Sequence, residues 1–350
     1  MQPAAQFWQA GGFYTYGYNV FSAWSNALMA TVLVTGSEGN LGPYIVRRLN
    51  ESHPNWKVLR IKHRKGACVF DPGMNRFEGD LRDPALLEKV FADHHVDYVI
   101  HAASQSYSHS GYRAHPFNVI ENDTTSLLNV LRHSGSASKL VYLSSALLYE
   151  HSNRSPLVED DTGHMPAPTS SYGVAKYFGE HAVRMFGLEY GVPITIWRPF
   201  NIVSPLEPHD GDGRHVFVDF FRRLLIERVS EFSVLGSGNQ VRCFIWVQDA
   251  ANCIVDNLDN RESNDQIFNL ARDEPLTLLQ LKDLLLDLGR EAGVLPTDYD
   301  PPTIRSGVFS GVESEVRIPS VAKLKERLGW ESTTTVRDCF SQFIEEKLRT

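Results

Sequence analysis

The chain has 350 residues, of which 42% are hydrophobic and 22% charged, enough for one large domain or two coupled ones. Its net charge is −8 without a block of basic residues, which argues against a dedicated binder of nucleic acid or anionic membranes. No apolar run reaches the about 18 residues of a membrane span. The four cysteines show neither CxxC nor metal-ligand spacing. We therefore expect a cytoplasmic protein with reduced thiols, no metal site and no membrane partner.

Residues 1–28 differ in composition from the rest of the chain. They contain many aromatic residues but no Lys, Arg, Asp or Glu. They lack the basic start and continuous apolar run of a signal peptide. Met29 stands just before the first clear strand. We interpret residues 1–29 as an atypical extension, either a stretch upstream of the native start or an arm that packs on a partner surface.

From Thr31 onward, apolar strand-like segments alternate with amphipathic helical segments. The predicted strands are 31–35, 57–61, 97–103, 139–145 and 193–199. The predicted helices between them include 84–94 and 117–135. This alternation predicts an α/β fold, with a Rossmann-type doubly wound parallel sheet over residues 30–200.

The pattern changes after Asn201. Short strand-like segments mix there with predicted helices around 215–229, 249–258 and 277–292. We interpret residues 201–350 as a smaller C-terminal α/β lobe that binds substrate, and the chain could cross between the two lobes.

The first strand runs into a glycine-rich loop, TGSEGNLGPYIVRRL. Three glycines at this spacing allow a tight turn, a close backbone approach and a helix entry whose free N–H groups face an anion. Because the loop lies between a predicted strand and a predicted helix, it predicts a dinucleotide site. Its candidate residues are Gly36, Gly39, Asn40, Leu41 and Gly42.

The second strand ends in basic residues, Lys62 and Arg64, and carries no carboxylate. A carboxylate at this place usually holds the adenosine ribose hydroxyls. Lys62 and Arg64 could instead pair with a 2′-phosphate. The predicted cofactor is therefore NAD or NADP, with NADP slightly favoured. The alternative is that both residues are ordinary solvated charges at a strand end.

Two further segments carry candidate polar groups. Asp80 follows a short strand, where its carboxylate could accept from an adenine amino group. Tyr172 and Lys176 lie four residues apart and share a helical face. Lowering a phenol pKa of about 10 by roughly 3 units requires about 4 kcal/mol, and a cation about 4 Å away supplies energy of that order. This spacing favours a proton-transfer pair.

Five segments occur in one order along the chain: the glycine loop, GDLRD (79–83), HAA (101–103), LSSALLY (143–149) and YGVAK (172–176). With these segments the chain resembles the extended short-chain dehydrogenase/reductase family, and within it the NAD(P)-dependent nucleotide-sugar epimerases and dehydratases. The resemblance extends from about Thr31 to at least Trp330.

The resemblance implies a catalytic triad of Ser145, Tyr172 and Lys176, with Ser144 as the alternative serine. It implies that Asp80 binds adenine. The wider set of cofactor contacts that we expect also includes Leu81, Ala102, Ala103, Tyr172 and Lys176.

The second lobe adds to the resemblance. GSGNQVRCFIWVQD (236–249) is similar to a substrate-reading segment of the family, although Cys243 stands where the family usually has an acid. The resemblance implies that Arg242 contacts a nucleotide phosphate and that Asn201 lies near the sugar. Ser145 would contact the reacting hydroxyl. We expect the loop 104–115 to shape the sugar pocket.

The reaction type follows from what stands beside the triad. The 4,6-dehydratases of the family carry Asp-Glu directly after the triad Thr, whereas Ala146 and Leu147 stand here and transfer no proton. A dehydratase is therefore disfavoured. We favour a nucleotide-sugar epimerase that works through a transient keto-sugar by reversible hydride transfer. The alternatives are an NADPH-dependent keto-sugar nucleotide reductase and a dinucleotide-binding sensor without turnover.

The resemblance also predicts the assembly. Members of the family often dimerise through two helices, which would fall here at about 117–134 and 172–190. We therefore expect a homodimer whose partners besides the second subunit are a nucleotide sugar and a nicotinamide cofactor.

Overall fold

A computed structural model describes residues 29–65, 68–104, 114–208, 215–307 and 315–349. The predicted extension, except Met29, lies outside these residues. So does 105–113, most of the loop that we expect at the sugar pocket.

The described part of the chain forms short strands and helices in alternation. Its strands are β1 (Thr31–Thr35), β2 (Lys57–His63), β3 (Val69–Asp71), β4 (Arg76–Gly79), β5 (Tyr98–His101), β6 (Lys139–Leu143), β7 (Ile194–Pro199), β8 (Ile202–Val203), β9 (Phe232–Leu235), β10 (Val241–Arg242), β11 (Ile245–Trp246), β12 (Gln266–Leu270), β13 (Leu276–Thr277), β14 (Thr303–Ser306) and β15 (Val316–Arg317). Its helices are α1 (Gly42–Ser52), α2 (Pro84–Asp93), α3 (Pro116–His133), α4 (Ser171–Tyr190), α5 (Val216–Phe221), α6 (Val247–Asp256), α7 (Leu278–Glu291), α8 (Ala322–Leu328) and α9 (Val336–Arg349).

The central sheet is almost entirely parallel. Its strand order is β12-β7-β6-β5-β1-β2-β4-β3, and only the β3–β4 pair is antiparallel. The chain runs from β1 outward to β2 and β4, then returns to add β5 on the other side of β1. The order therefore reverses between β1 and β5, and a crevice for a ligand opens at the carboxyl ends of these strands.

The two faces of the sheet are buried in separate clusters. Val32 and Val34 face the cluster that includes α1 and α6, whereas Leu33 faces the cluster that includes α2, α3 and α4. Successive side chains of a strand point to opposite faces, and both faces are covered by helices here. This arrangement explains why the strands read as continuous apolar runs, and it confirms the predicted α/β fold with a Rossmann-type sheet.

One strand crosses the boundary that the sequence suggests. β12 lies in the segment 201–350, yet it pairs with β7 through the register Gln266↔Thr195 to Leu270↔Pro199. The smaller sheets β13-β10-β15, β11-β8 and β14-β9 are built only from strands of the segment 201–350, beginning with β8 directly after β7. The division at residue 200 remains a prediction, and the chain returns to the first sheet after it.

Candidate functional site

The glycine loop packs directly against the segment that follows β5. Gly36 has φ +68°, and a Cβ on it would lie 2.7 Å from the backbone nitrogen of Ala103 and 2.8 Å from the carbonyl carbon of Ala102. A Cβ on Gly42 would lie 2.0 Å from the Gly36 oxygen. Only glycine satisfies these two positions, because any side chain would separate the loop from its neighbours. The structure thus brings Gly36, Gly42, Ala102 and Ala103 together.

The loop also directs a helix N-terminus to the end of β1. The Gly39 N–H donates to the Gly36 carbonyl at 3.0 Å, and Tyr44 and Ile45 each donate to the Leu41 carbonyl at 3.1 Å. The Asn40 carbonyl accepts from Ser204 Oγ at 2.9 Å. First-turn N–H groups have no partner within their own helix and favour an anion. The cradle therefore fits the pyrophosphate of a dinucleotide, the role that we propose for it.

The basic residues at the end of β2 are paired with carboxylates. Lys62 Nζ lies 3.4 Å from Glu38 Oε2, and Arg64 Nη1 lies 3.5 Å from Glu78 Oε2. Arg76 Nη1 lies 3.3 Å from Glu38 Oε1. The sequence reasoning missed Glu38 and Arg76. A carboxylate inside the glycine loop was a visible signal for Glu38, whereas Arg76 joins the cluster only through the pairing of β2 with β4.

Asp80 and Leu81 follow β4 at the same edge of the sheet. The Asp80 carboxylate accepts from the backbone N–H of Arg82 at 2.9 Å and from its guanidinium Nε at 3.0 Å. These hydrogen bonds hold the pKa of Asp80 below its usual value. Leu81 is buried. Asp80 therefore lies at the edge of the sheet where the cofactor is predicted to bind. Its carboxylate is ionised and already hydrogen-bonded to Arg82.

Tyr172 and Lys176 lie in the first turns of α4, beside Ser145. Ser170 caps this helix, because its Oγ accepts from the Gly173 N–H at 3.1 Å. The Tyr172 phenol hydrogen-bonds with Ser145, which follows β6. The buried Lys176 Nζ donates to the Leu143 carbonyl at 3.1 Å and lies 5.4 Å from the centroid of the Tyr172 ring. The three residues predicted as a triad therefore come together in the structure.

The environment of Tyr172 favours the protonated phenol. Burial raises the pKa of Tyr172, and the negative charge of Asp123 raises it further, whereas a hydrogen bond from Ser145 acts in the opposite direction. At neutral pH the side chain is a neutral phenol. The neutral phenol of Tyr172 can therefore donate a proton. To accept a proton it must first become a phenolate, which requires additional positive charge or hydrogen-bond donors near its oxygen.

Ser144 and Ser145 have different surroundings. Ser144 Oγ is buried and donates to Glu180 Oε1 at 2.5 Å. Ser145 Oγ instead accepts from the Leu147 N–H at 3.1 Å and caps the short 3-10 turn Ala146–Tyr149. Because the Ser145 hydroxyl proton is still available to the Tyr172 oxygen, the geometry favours Ser145 over Ser144 as the partner of the phenol.

Glu150 clamps the start of α4. Its carboxylate accepts from the backbone N–H groups of Thr169 and Ser170, at 3.0 Å for Ser170, and from the Ser170 hydroxyl at 2.5 Å. Glu150 is buried. A carboxylate at a helix N-terminus is favourable because it meets the positive end of the helix dipole. Glu150 therefore fixes the turn that presents Tyr172.

In the second half of the chain, Asn201 and Arg242 lie close together and bind backbone. Asn201 has φ +39°, and its Nδ2 donates to the Cys243 carbonyl at 2.7 Å. Arg242 Nη1 donates to the carbonyls of Val241 and Glu315 at 2.9 and 3.0 Å. Both side chains stabilise the turn around β10, and a role in binding substrate stays a prediction. Asp249, another residue of the same motif, accepts from Ser332 and Thr334 and is structural.

The sequence reasoning did not identify Asp123 and Ser104 as parts of the site. Ser104 Oγ donates to Asp123 Oδ2 at 2.6 Å, and Lys176 Nζ lies 3.6 Å from the same oxygen. A signal existed for Asp123. The buried face of α3 contains Val119, Asp123 and Leu127, spaced i, i+4 and i+8, so a carboxylate occupies a position that an apolar residue would fill.

The described residues contain no group of His, Cys, Asp and Glu side chains placed to hold a metal ion. None of their helices is long and apolar enough to cross a membrane.

Comparison with known proteins places this geometry among related chains. The model of the NAD dependent epimerase/dehydratase family matches residues 32–271. A putative UDP-glucose 4-epimerase of Methanocaldococcus jannaschii is 28% identical over 322 residues, 89% of this chain and 97% of that protein. A putative GDP-L-fucose synthase 2 of Oryza sativa subsp. japonica is 26% identical over 328 residues, 91% of this chain and 87% of that protein.

A solved structure is also similar to this chain. The crystal structure of the UDP-glucose 4-epimerase of Thermotoga maritima with UDP-glucose matches with a TM-score of 0.77 and 26% identity. The match covers 91% of this chain and 98% of that chain, so the similarity includes the C-terminal half as well as the sheet.

Proposed function

The chain belongs to the NAD dependent epimerase/dehydratase family, and from that premise we propose that it is a nucleotide-sugar epimerase that acts through a transient keto-sugar. The observation that carries the proposal is the contact of the Tyr172 phenol with Ser145, one helical turn from Lys176 and at the sheet edge where the glycine loop lies. The arrangement suits a reaction in which a sugar hydroxyl loses a proton from oxygen while a hydride leaves its carbon.

Each residue of the triad has a distinct role in this proposal. Tyr172 takes the hydroxyl proton and later returns it to the sugar oxygen. Ser145 donates a hydrogen bond to the same sugar oxygen and steadies the carbonyl that forms. Lys176 supplies positive charge next to the phenol and favours the phenolate. A bound nicotinamide dinucleotide supplies the hydride acceptor and, when oxidised, a second positive charge.

Epimerisation requires no further acid or base. The residues after Ser145 are Ala146 and Leu147, which carry no exchangeable proton. Elimination of water needs such a pair, so this site is poorly equipped for a dehydratase reaction. An epimerase needs only the triad, a retained cofactor and room for the keto-sugar to turn and accept hydride on its other face.

The charges at the end of β2 favour a second candidate, a keto-sugar nucleotide reductase that uses NADPH. Lys62 and Arg76 lie on either side of Glu38, and Arg64 lies nearby. A 2′-phosphate could take the place of the Glu38 carboxylate between the first two cations. A reductase would use the same triad but would release its cofactor after each turnover.

A single panel separates these functions. The purified chain is denatured to measure the dinucleotide that it releases, and is then assayed with UDP-, dTDP-, GDP- and CDP-sugars and both cofactors. We expect released NAD(H) or NADP(H), and a product of unchanged mass with inverted sugar configuration. An empty protein that consumes NADPH with a keto-sugar nucleotide would make it a reductase. Tight dinucleotide binding without turnover of any sugar would leave only the sensor.

A further inference from the structure

The proposed reaction leaves one buried charge beside the triad without a role. Asp123 lies on the buried face of α3, and its Oδ2 accepts from Ser104 Oγ at 2.6 Å and lies 3.6 Å from Lys176 Nζ. The side chains of Asp123 and Lys176 are only 5% and 3% exposed. A buried carboxylate in direct contact with a proposed catalytic pair alters the charge balance of that pair.

The hydrogen-bond directions around Tyr172 follow from counting protons. A serine hydroxyl has one proton to donate, and Ser104 gives its proton to Asp123. In its contact with Tyr172, Ser104 must then accept the phenol proton. A Ser104 free to donate would favour the phenolate, as Ser145 does. Held by Asp123, it forms a bond that only the protonated phenol can make.

The other titratable groups near the pair are neutral or bound elsewhere. The described titratable groups on the elements around Tyr172 and Lys176 are His101 from β5, Tyr142 from β6, Asp123 from α3, Glu150 beside Gly173 at the helix start, and Glu180 on α4 itself. Burial keeps His101 and Tyr142 uncharged. Glu180 binds Arg198, and Glu150 binds Thr169 and Ser170. Asp123 is the charged group among them that contacts Lys176.

We propose that Asp123 is a positioning residue that sets the pH at which Tyr172 can accept a proton, by holding Ser104 as an acceptor and by offsetting the charge of Lys176. The chemistry of this inference rests on the proposed function. The result is a site biased toward donating a proton to a keto-sugar. Ser104, held as an acceptor, stabilises the protonated phenol. The Asp123 charge offsets that of Lys176 and so destabilises the phenolate. Loss of the Asp123 charge alone should shift this balance toward the base.

The test compares Asp123→Asn with the unaltered chain in two pH profiles. Asn keeps the size of the side chain and an oxygen that can accept from Ser104. The first profile is the dissociation constant of NAD⁺ or NADP⁺, whichever binds more tightly, measured by protein fluorescence without sugar. We expect a break where Tyr172 ionises, absent in Tyr172→Phe, that moves about one pH unit lower in Asp123→Asn. The second profile is kcat/KM, whose acid limb should move equally.

The controls keep the test independent of turnover. Glu189→Gln removes one negative charge at the exposed C-terminal end of α4, and it should move neither profile. Ser104→Ala should move the break in the same direction by a smaller amount, because Asp123 keeps its charge. A break that stays within 0.3 pH units (about 0.4 kcal/mol) in Asp123→Asn overturns the inference. If the break moves but no sugar is turned over, the inference stands and the proposed function fails.

Discussion

Glu180 and Arg198 form a buried bidentate ion pair that joins α4 to strand β7. Arg198 donates from Nε to Oε1 at 2.8 Å and from Nη2 to Oε2 at 2.7 Å. The same guanidinium donates through Nη1 to the Tyr149 hydroxyl at 2.7 Å, and Ser144 donates to Glu180. The pair therefore fixes the helix of Tyr172 against both the sheet and the turn that follows Ser145.

Glu180→Gln should destabilise the whole fold. The substitution leaves the buried Arg198 without its counter-charge, and removing one partner of such a pair costs about 3–5 kcal/mol. Urea unfolding measures the loss. Asp256→Asn breaks the exposed pair with Arg48 and should cost much less. Equal losses for the two variants would contradict the structural role of the buried pair.

Tyr172→Phe should reduce turnover by about 100-fold or more while leaving dinucleotide affinity nearly intact. The change removes the group that carries the proton and keeps the ring in place. Steady-state kinetics and a fluorescence titration give the two values. Tyr177→Phe is the matched control, since that side chain packs edge-on against His181 at 4.6 Å on the same helix. Turnover retained in Tyr172→Phe would refute the assignment.

The sequence predicted the features that depend on local pattern. The continuous apolar run Val32 to Val34 predicted a strand. The glycines Gly36 and Gly42 after it predicted a tight loop, and the structure leaves no room for a side chain at either position. Ser145 was readable only through the resemblance. Glu38 and Asp123 were missed because their roles depend on partners far along the chain, Arg76 and Lys176, which the fold brings within 4 Å.

Glu38→Gln should shift cofactor preference toward NADP by about fivefold. The carboxylate neutralises Lys62 and Arg76, and its removal frees their charge for a 2′-phosphate. A gain near 1 kcal/mol is the scale of one partly exposed charge interaction, which is about fivefold in affinity. Dissociation constants for NADP⁺ and NAD⁺ at low salt give the ratio. Glu51→Gln, at the other end of α1, should leave the ratio unchanged, and a shift toward NAD in Glu38→Gln would refute the prediction.

The buried imidazole of His101 should make stability depend on pH. His101 Nδ1 lies 2.9 Å from Thr35 Oγ1, and burial together with the Lys176 charge lowers the pKa of His101 to about 3 from 6.5. Below about pH 6.5 the unfolded chain binds a proton that the folded chain does not. The free energy of unfolding therefore falls as the pH drops, with a slope that approaches about 1.4 kcal/mol per pH unit for this group.

His101→Gln should remove that share of the slope. Urea unfolding between about pH 7.5 and 5 measures the slope, and the comparison of slopes tolerates a change in absolute stability. His95→Gln alters a histidine whose side chain is 74% exposed and should leave the slope unchanged. Parallel slopes for His101→Gln and the unaltered chain would show that the buried ring is not the source.

Apolar side chains exposed on α3 and α4 should form the contact of a homodimer. Phe117, Met185 and Leu188 are 70%, 53% and 69% exposed, and Phe178 is 40% exposed. An exposed apolar patch of this kind marks a contact surface, and a two-fold axis would pair it with itself. Sedimentation of a double variant, Met185→Glu with Leu188→Glu, should give a monomer, whereas Ile226→Glu, exposed elsewhere, should not. A dimer that survives the double change would place the interface on another surface.

The position of β12 in the central sheet has a consequence for synthesis on the ribosome. Asn269 of this strand donates to the Leu157 carbonyl at 3.0 Å, accepts from the Tyr149 hydroxyl at 2.7 Å and donates to the Ser320 carbonyl at 3.3 Å. Because β12 is the strand that pairs with this edge of β7, the edge stays unpaired until residue 270 has left the exit tunnel. A nascent chain that stops at residue 200 would expose this edge and the apolar side of Trp197, a state prone to aggregation. Expression of the first half alone is therefore expected to need its missing strand supplied in trans.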